Sequence, residues 1–185
     1  NKYNFFNPHN IIKAFFLLIL FNYIYFSIRL SLRENPWIAG DWLINYEGGF
    51  LRRGFSGETL LFLSKLLSIN IIYLLIFFQI FFFLFFLFFL LKILKDKKIN
   101  LWFLFLIFSP VTISFTFYDP LAAGRKEAIF FFYYTIYLFY FIKNFENTKL
   151  TNFIYFLSGL LFVLVHEIFI FFSFFFIFTK YFYLQ

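Results

Sequence analysis

The chain has 185 residues, of which 63% are hydrophobic and 30% aromatic, and its formal net charge at pH 7 is +7. A soluble domain of this length could not bury so much apolar surface, and apolar runs without alternation exclude a transmembrane β-barrel. The basic residues cluster at the ends of apolar runs, which indicates membrane topology rather than a nucleic-acid partner. Without Cys, the chain has no disulfides, thiolate nucleophile or thiolate metal site.

Long apolar runs predict an all-α, polytopic transmembrane bundle of about five to six spans, with outer-face loops and short interfacial helices. The predicted spans cover residues 10–30, 70–94, 100–117, 128–143 and 151–180. The short amphipathic segment 58–67 is expected to lie at the membrane interface.

Two of these spans contain interruptions. Pro110 is expected to kink the third helix or to end it early. The last run is either one long tilted helix or two half-spans that break near His166 and Glu167. The tryptophans near the predicted span ends are expected to be interfacial aromatics; they are Trp37, Trp42 and Trp102.

We expect the N-terminus on the cytoplasmic side. The inner segments then hold nine basic residues, all Lys, whereas five of the seven outer basic residues are Arg. Whichever side is outer, the loops 34–58 and 118–127 share it. His166 lies about 22 Å along the last run, at 1.5 Å per residue, which is most of the way back across the membrane. The sequence therefore predicts that three polar segments converge on one face.

The first polar segment, residues 41–58, reads DWLINYEGGFLRRGFSGE. Its glycines let the backbone approach a ligand closely, and its adjacent arginines present planar donors that suit phosphate. The candidate site residues here are Asp41, Glu47, Gly48, Gly49, Arg52 and Arg53. The alternative is an ordinary loop whose arginines contact lipid headgroups.

The other two segments add a second acid and an intramembrane pair. Asp119 starts a predicted turn, and Arg125 and Lys126 lie at the start of the next helix, where a basic pair suits a bound anion. His166 and Glu167 interrupt an apolar run, and ionisable residues at that depth are expensive to place. The alternatives are arginine and lysine side chains that reach the headgroups, and a His-Glu pair that serves helix packing.

The acids in these segments are compatible with a metal site. Two His in the whole chain cannot form a His-rich site, but Asp41 or Asp119 could contribute oxygen ligands for Mg²⁺ or Mn²⁺. No Walker loop, GxSxG, HExxH or dinucleotide fingerprint is present.

The order of features resembles that of the GT-C membrane glycosyltransferases. It comprises an N-terminal helix, a long outer loop with an acid, and a second acid in the loop after the third helix. The phrases NYEGGFLRRG, GRKE and HE are also similar to multispanning proteins of bacterial surface-polysaccharide clusters. The resemblance implies a catalytic carboxylate at Asp41 or Glu47, and an acid at the metal or carrier site at Asp119. The chain departs from the family in having no Asp-x-Asp and fewer spans. With no Met at position 1, we expect one transmembrane domain, 1–185, that is the N-terminal part of a longer protein.

The leading functional hypothesis is transfer of a sugar from a polyprenyl-(di)phosphate carrier to an acceptor at the outer face of a bacterial inner membrane. The expected partners are the bilayer and the lipid-linked sugar. The carrier phosphate would be held by Arg52, Arg53, Arg125 and Lys126, while His166, Glu167, Gly48 and Gly49 would line the cavity. The alternatives are a surface-polysaccharide polymerase or ligase, which needs no carboxylate base, and a non-enzymatic transporter or flippase subunit.

Overall fold

The computed structural model describes residues 7–51, 53–110, 112–142, 149–166 and 169–183. Arg52 and Glu167, two predicted site residues, lie outside these ranges. Within them every regular element is helical, which confirms the all-α class. The helices are α1 (Pro8–Leu32), α2 (Asp41–Leu43), α3 (Phe55–Leu67), α4 (Ile71–Leu94), α5 (Leu101–Phe108), α6 (Phe115–Tyr118), α7 (Glu127–Ile142), α8 (Lys149–Val165) and α9 (Phe169–Tyr183). A π-helical turn covers Pro36–Gly40 and a 3₁₀ turn covers Pro120–Ala122.

The helices α1 and α4 are long and apolar enough to cross a membrane. They have 25 and 24 residues, which at 1.5 Å per residue gives about 37 and 36 Å for a hydrocarbon core of about 30 Å. Each begins at an asparagine cap. Asn7 accepts from the His9 N–H at 3.0 Å, and Asn70 accepts from the Ile72 N–H at 2.8 Å. Both helices expose large apolar side chains, which favours lipid around them rather than water.

The helices α1 and α4 run antiparallel. Near one end, the Ser31 hydroxyl donates to Oε1 of Gln79 at 3.2 Å. Further along, Tyr23 stacks on Phe83 with ring centroids 3.8 Å apart. Positions earlier in α1 therefore meet positions later in α4, so the C-terminal end of α1 lies beside the N-terminal part of α4.

The helix α7 lies beside α4 and runs in the same direction. Phe131 packs on Phe86 with centroids 5.5 Å apart, and Phe139 packs on Phe89 at 5.4 Å. Residues later in α7 therefore contact residues later in α4, as in two parallel helices. The first turn of α7 thus lies at the end of the bundle where α1 ends.

The connection between α4 and α7 is broken where the sequence predicts a third span. The helix α5 has eight residues, about 12 Å, because Ser109 precedes Pro110 and adopts an extended conformation. The Thr112 hydroxyl lies 2.8 Å from the Ile107 carbonyl and the Ser114 hydroxyl 3.1 Å from that of Phe108, so side chains satisfy carbonyls at the helix end. Early termination at Pro110 is confirmed, and the alternative of a kinked helix that continues to residue 117 is wrong.

The last apolar run forms two helices. The helix α8 ends at Val165 and α9 begins at Phe169, so the predicted break near His166 is confirmed. The two helices run in opposite directions, so they are not two halves of one span. Tyr133 packs on Phe162 at 4.6 Å and Tyr137 on Tyr155 at 5.1 Å, which sets α8 antiparallel to α7.

The helix α9 runs parallel to α7, because Phe130 packs on Phe169 at 5.5 Å and the Tyr134 hydroxyl bonds Oγ1 of Thr179 at 2.7 Å. The helices α8 and α9 have 17 and 15 residues, about 25 and 22 Å, and so are shorter than α1 and α4. Among the described residues only α1 and α4 meet the length and hydropathy expected of a span, so a bundle of five to six spans is not confirmed.

Candidate functional site

Lys126 is the point at which the three predicted polar segments meet. Its side chain is fully buried. Its Nζ lies 3.2 Å from the Arg53 carbonyl oxygen, 3.4 Å from the Val165 carbonyl oxygen and 3.8 Å from Oδ1 of Asp41. One ammonium group therefore contacts the start of α2, the turn before α3 and the end of α8.

Two further charged or titratable side chains complete this group. The Arg53 guanidinium lies 3.9 Å from Oδ1 of Asp41, and the two side chains are 40% and 20% exposed. His166 is buried at the end of α8 and interacts electrostatically with Asp41 and Lys126. We call Asp41, Arg53, Lys126 and His166 the Lys126 cluster. It combines a fully buried cation with an acid and an arginine that both reach the surface.

Burial lowers the pKa of two basic groups in the cluster, Lys126 and His166. It lowers the pKa of Lys126 from 10.5 to about 8, because desolvation outweighs the attraction of Asp41. Desolvation also lowers the pKa of His166 below its usual 6.5, against the opposing effect of Asp41. At pH 7 the lysine is therefore mostly charged and the imidazole mostly neutral.

Trp42 holds two of the three segments together. It is buried at 2% exposure, and its indole N–H donates to the Gly124 carbonyl oxygen at 2.7 Å. Trp42 therefore packs inside the protein rather than facing lipid headgroups, while Trp37 and Trp102 are exposed and their interfacial position stays a prediction. Its position directly after Asp41 fixes the register that brings the carboxylate to Lys126.

Gln79 supports the same turn from α4. It is fully buried, bonds Ser31, and lies so close to Gly124 that a Cβ there would meet its amide at 3.1 Å. Gly124 also has a φ of +80°, which a side chain would strain. A polar residue alone in a long apolar run is a signal that sequence reasoning could have used, since Gln79 is the single such position in α4 before Lys92.

In the first segment, packing against backbone requires a glycine at position 57, and Gly54 lies against a side-chain ring. A Cβ at Gly57 would lie 2.1 Å from the Ile44 carbonyl oxygen, and one at Gly54 would lie 2.4 Å from the Tyr46 ring. The start of α3 is thereby pressed against the backbone after α2. The Tyr46 N–H closes this loop by donating to Oε2 of Glu58 at 3.2 Å.

The tip of the same loop lies apart from these contacts. Glu47 is 66% exposed, and its carboxylate lies 3.9 Å from Nζ of Lys65. Gly48 and Gly49 are exposed, with open space around each Cβ position, and Gly49 has a φ of +116° that makes the turn. These three predicted site residues form an exposed turn.

Two residues of the second segment, Asp119 and Arg125, make their contacts outside the Lys126 cluster. Asp119 is exposed and caps the 3₁₀ turn by accepting from the Leu121 N–H at 3.0 Å. Arg125 pairs with Glu127 at 3.1 Å. Of the predicted set, the structure thus brings together Asp41, Arg53, Lys126 and His166.

The metal site predicted at Asp41 or Asp119 stays a prediction. No three His, Asp or Glu side chains in the described ranges lie close enough to share a divalent cation. Asp41 faces two cations, and Asp119 uses its oxygen as a cap. A cation at Asp41 would be repelled by the arginine and lysine already there.

Comparison of the chain with protein-family models, with curated proteins and with solved structures gives no match. The case for a function therefore rests on the geometry of the Lys126 cluster and its surroundings.

Proposed function

We propose that the chain belongs to a membrane enzyme that transfers a sugar from a polyprenyl-(di)phosphate carrier to an acceptor. The observation that supports this most is the Lys126 cluster. It puts a partly exposed acid and a partly exposed arginine 3.9 Å apart at one end of a bundle whose outer faces are apolar. An anionic headgroup on a long apolar chain matches both features.

The proposed setting is a bacterial plasma membrane with the N-terminus in the cytoplasm. The helices α1, α4, α7, α8 and α9, with the broken α5–α6 connection, would make six traverses. Their relative directions support this, because α1 and α8 run opposite to α4, α7 and α9. All three segments of the cluster would then lie at the outer face.

In the proposed reaction, Asp41 takes the proton of the acceptor hydroxyl. The hydroxyl oxygen attacks the anomeric carbon, the bond from that carbon to the carrier phosphate oxygen breaks, and the phosphate leaves with the electron pair. Arg53 holds the phosphate and stabilises the leaving charge. Lys126 is too deeply buried to touch the carrier, so it acts as a positioning residue for Asp41 and for the Arg53 backbone.

The matched pair Asp41→Asn and Glu47→Gln tests the proposal. Vesicles containing the chain are given an acceptor and polyprenyl phosphate that carries a radiolabelled sugar. We expect Asp41→Asn to lose at least about 100-fold in transfer rate, as for removal of a general base. Glu47→Gln changes the same charge at the exposed tip and should keep the rate within about two-fold.

The alternatives give different results in the same assay. Full activity in Asp41→Asn with none in Arg53→Gln would support a polymerase or ligase without a carboxylate base. Full activity in both variants, with folding intact, would exclude the Lys126 cluster as a transfer site.

A further inference from the structure

One amide interrupts the apolar helix α4. Residues 74–91 are Leu, Ile and Phe except for Gln79. At 1.5 Å per residue, Gln79 lies about 12 Å from the start of α4, and its side chain is fully buried. Polar side chains at such a depth in an apolar helix are expensive to place and typically serve function. Packing alone therefore does not explain an amide at this position.

The amide of Gln79 is only half satisfied. Its Oε1 accepts from the Ser31 hydroxyl at 3.2 Å, whereas its Nε2 has no hydrogen-bond partner among the described residues. A buried donor without a partner costs free energy on folding. A leucine would fill a similar space in these apolar surroundings without that cost. Stability therefore does not account for the amide either.

The flat face of the same amide lies against the turn before α7. A Cβ built on Gly124 would lie 3.1 Å from each of three atoms of Gln79, namely Cδ, Oε1 and Nε2. Three equal distances place that position over the plane of the amide rather than at its edge. Because a leucine side chain is branched and tetrahedral where the amide is planar, its methyl groups would extend towards Gly124. A planar group at Gln79 thus allows the turn to approach α4 this closely.

Gly124 connects Gln79 to the Lys126 cluster in two ways. Its carbonyl oxygen accepts from the Trp42 indole N–H at 2.7 Å, and Trp42 directly follows Asp41. Lys126 lies two residues after Gly124, and its Nζ is 3.8 Å from Oδ1 of Asp41. A displacement of Gly124 would therefore move both partners of the contact between Asp41 and Lys126, one through the indole and the other through the backbone.

We propose that Gln79 is a positioning residue for the Lys126 cluster. Its planar amide, oriented by Ser31, fixes the turn at Gly124 and thereby the contact between Asp41 and Lys126. Because Gln79 is fully buried, it acts through this turn and not on a substrate. Its effect on sugar transfer rests on the proposed function. Its effect on the turn does not, because the Trp42 indole reports the turn directly.

The experiment follows the indole N–H of Trp42 by proton–nitrogen correlation NMR of the full chain in detergent. The chain has three tryptophans, and the exposed Trp37 and Trp102 serve as internal references. The Trp42 signal is assigned by its loss in Trp42→Phe. We expect Gln79→Leu to shift this signal upfield, as for a longer hydrogen bond, and to leave the other two in place. An unshifted Trp42 signal would overturn the proposal.

Two further variants separate the planar amide from the space that it fills. Gln79→Glu keeps a planar end group and an acceptor for Ser31, and a carboxyl buried at this depth stays protonated at about pH 6. Phe77→Leu introduces the leucine two residues earlier, at an exposed position of α4. We expect both variants to keep the Trp42 signal in place. A shift in either variant as large as that in Gln79→Leu would contradict the proposal.

Thermal unfolding distinguishes a positioning amide from a structural one. Gln79→Leu should unfold at the temperature of the parent or above it, because it removes a buried N–H that has no partner in the described part of the chain. The Ser31 hydroxyl can then bond the carbonyl four residues earlier in α1. A lower unfolding temperature in Gln79→Leu would make the amide structural and overturn the proposal.

The transfer assay tests the consequence for the proposed reaction. We expect Gln79→Leu to lower kcat about ten-fold, because a small displacement of the general base is costly, and to keep KM within about two-fold. Phe77→Leu should keep both values within about two-fold of the parent. An unchanged kcat in Gln79→Leu would overturn the positioning role. A parent without transfer activity would refute the proposed function, and the Trp42 signal would then decide on Gln79 by itself.

Discussion

Asp41 and Glu47 lie six residues apart in the same polar, glycine-rich stretch, yet they occupy opposite environments. The Asp41 carboxylate is 20% exposed, 3.8 Å from a fully buried ammonium group. The Glu47 carboxylate is 66% exposed, 3.9 Å from an exposed one. The distances are almost equal, so distance alone does not distinguish a site from a surface pair. Burial and contact with distant segments of the chain distinguish the Asp41 site from the Glu47 surface pair.

The same contrast extends to the glycines around the two acids. Gly57, on the buried side, faces the backbone of residues 43–44, whereas Gly48 at the tip faces open space. Three comparisons between variants test this difference between the buried and the exposed side of the loop, from the largest expected effect to the smallest.

The largest effect is expected from Gly57→Ala. Its Cβ would lie 2.1 Å from the Ile44 carbonyl oxygen, which belongs to the backbone and cannot rotate away. We expect a loss of about 3 kcal/mol in the free energy of unfolding, measured by thermal unfolding in detergent. Gly48→Ala is the control and should change stability by less than about 0.5 kcal/mol. Equal effects at the two positions would mean that α3 does not pack on the loop as described.

The second comparison is between two tryptophans. Trp42→Phe removes the donor to the Gly124 carbonyl and leaves that buried oxygen unpaired, at an expected cost of about 2 kcal/mol. Trp37→Phe alters a side chain that is 73% exposed and should cost less than about 0.5 kcal/mol. Chemical unfolding of both variants measures the difference. A stable Trp42→Phe would show that this bond does not hold the loops together.

The third comparison uses pH to separate a buried lysine from an exposed one. Burial lowers the pKa of Lys126 to about 8, while the unfolded chain keeps the usual 10.5. Between these values the unfolded state binds more protons, so stability rises with pH. From about pH 8 to about pH 9.5, the parent should gain about 1.5 kcal/mol relative to Lys126→Met.

Lys65 provides the control for that measurement, because its side chain is 76% exposed. Lys65→Met should keep the pH dependence of the parent. If Lys126→Met also kept it, the ammonium group would not be buried in the folded protein.

The sequence predicts the long elements closely. The spans expected over 10–30, 70–94 and 128–143 correspond to α1, α4 and α7, with ends within two residues. All three helices follow from apolar length, and α1 and α4 also begin at asparagine caps, which are local properties. The early stop at Pro110 was one of two predicted outcomes, because Pro cannot continue a regular helix, and the break at His166 was likewise one of two alternatives, because ionisable residues are costly inside an apolar span.

The contacts of the site depend on tertiary structure and were harder to predict from the sequence. Polarity makes Asp41, Glu47 and Asp119 candidate site acids alike. Only the packing of α2 against the turn before α7 distinguishes Asp41 from the other two. Trp42 reads as an interfacial aromatic because nothing local shows that Gly124 will lie beside it. From the sequence, the glycines of this segment are expected to serve ligand access, and the packing role of Gly57 is missed because the backbone that excludes a side chain there lies thirteen residues away.

A pair of double-mutant cycles on the free energy of unfolding tests the central claim most directly, that Asp41 meets a buried Lys126 whereas Glu47 forms only a surface pair. One cycle combines Asp41→Asn with Lys126→Met, and the other combines Glu47→Gln with Lys65→Met. We predict a coupling energy of about 2 kcal/mol or more for the first pair and less than about 0.5 kcal/mol for the second. Additive effects of Asp41→Asn and Lys126→Met, or equal coupling in the two cycles, would contradict the account.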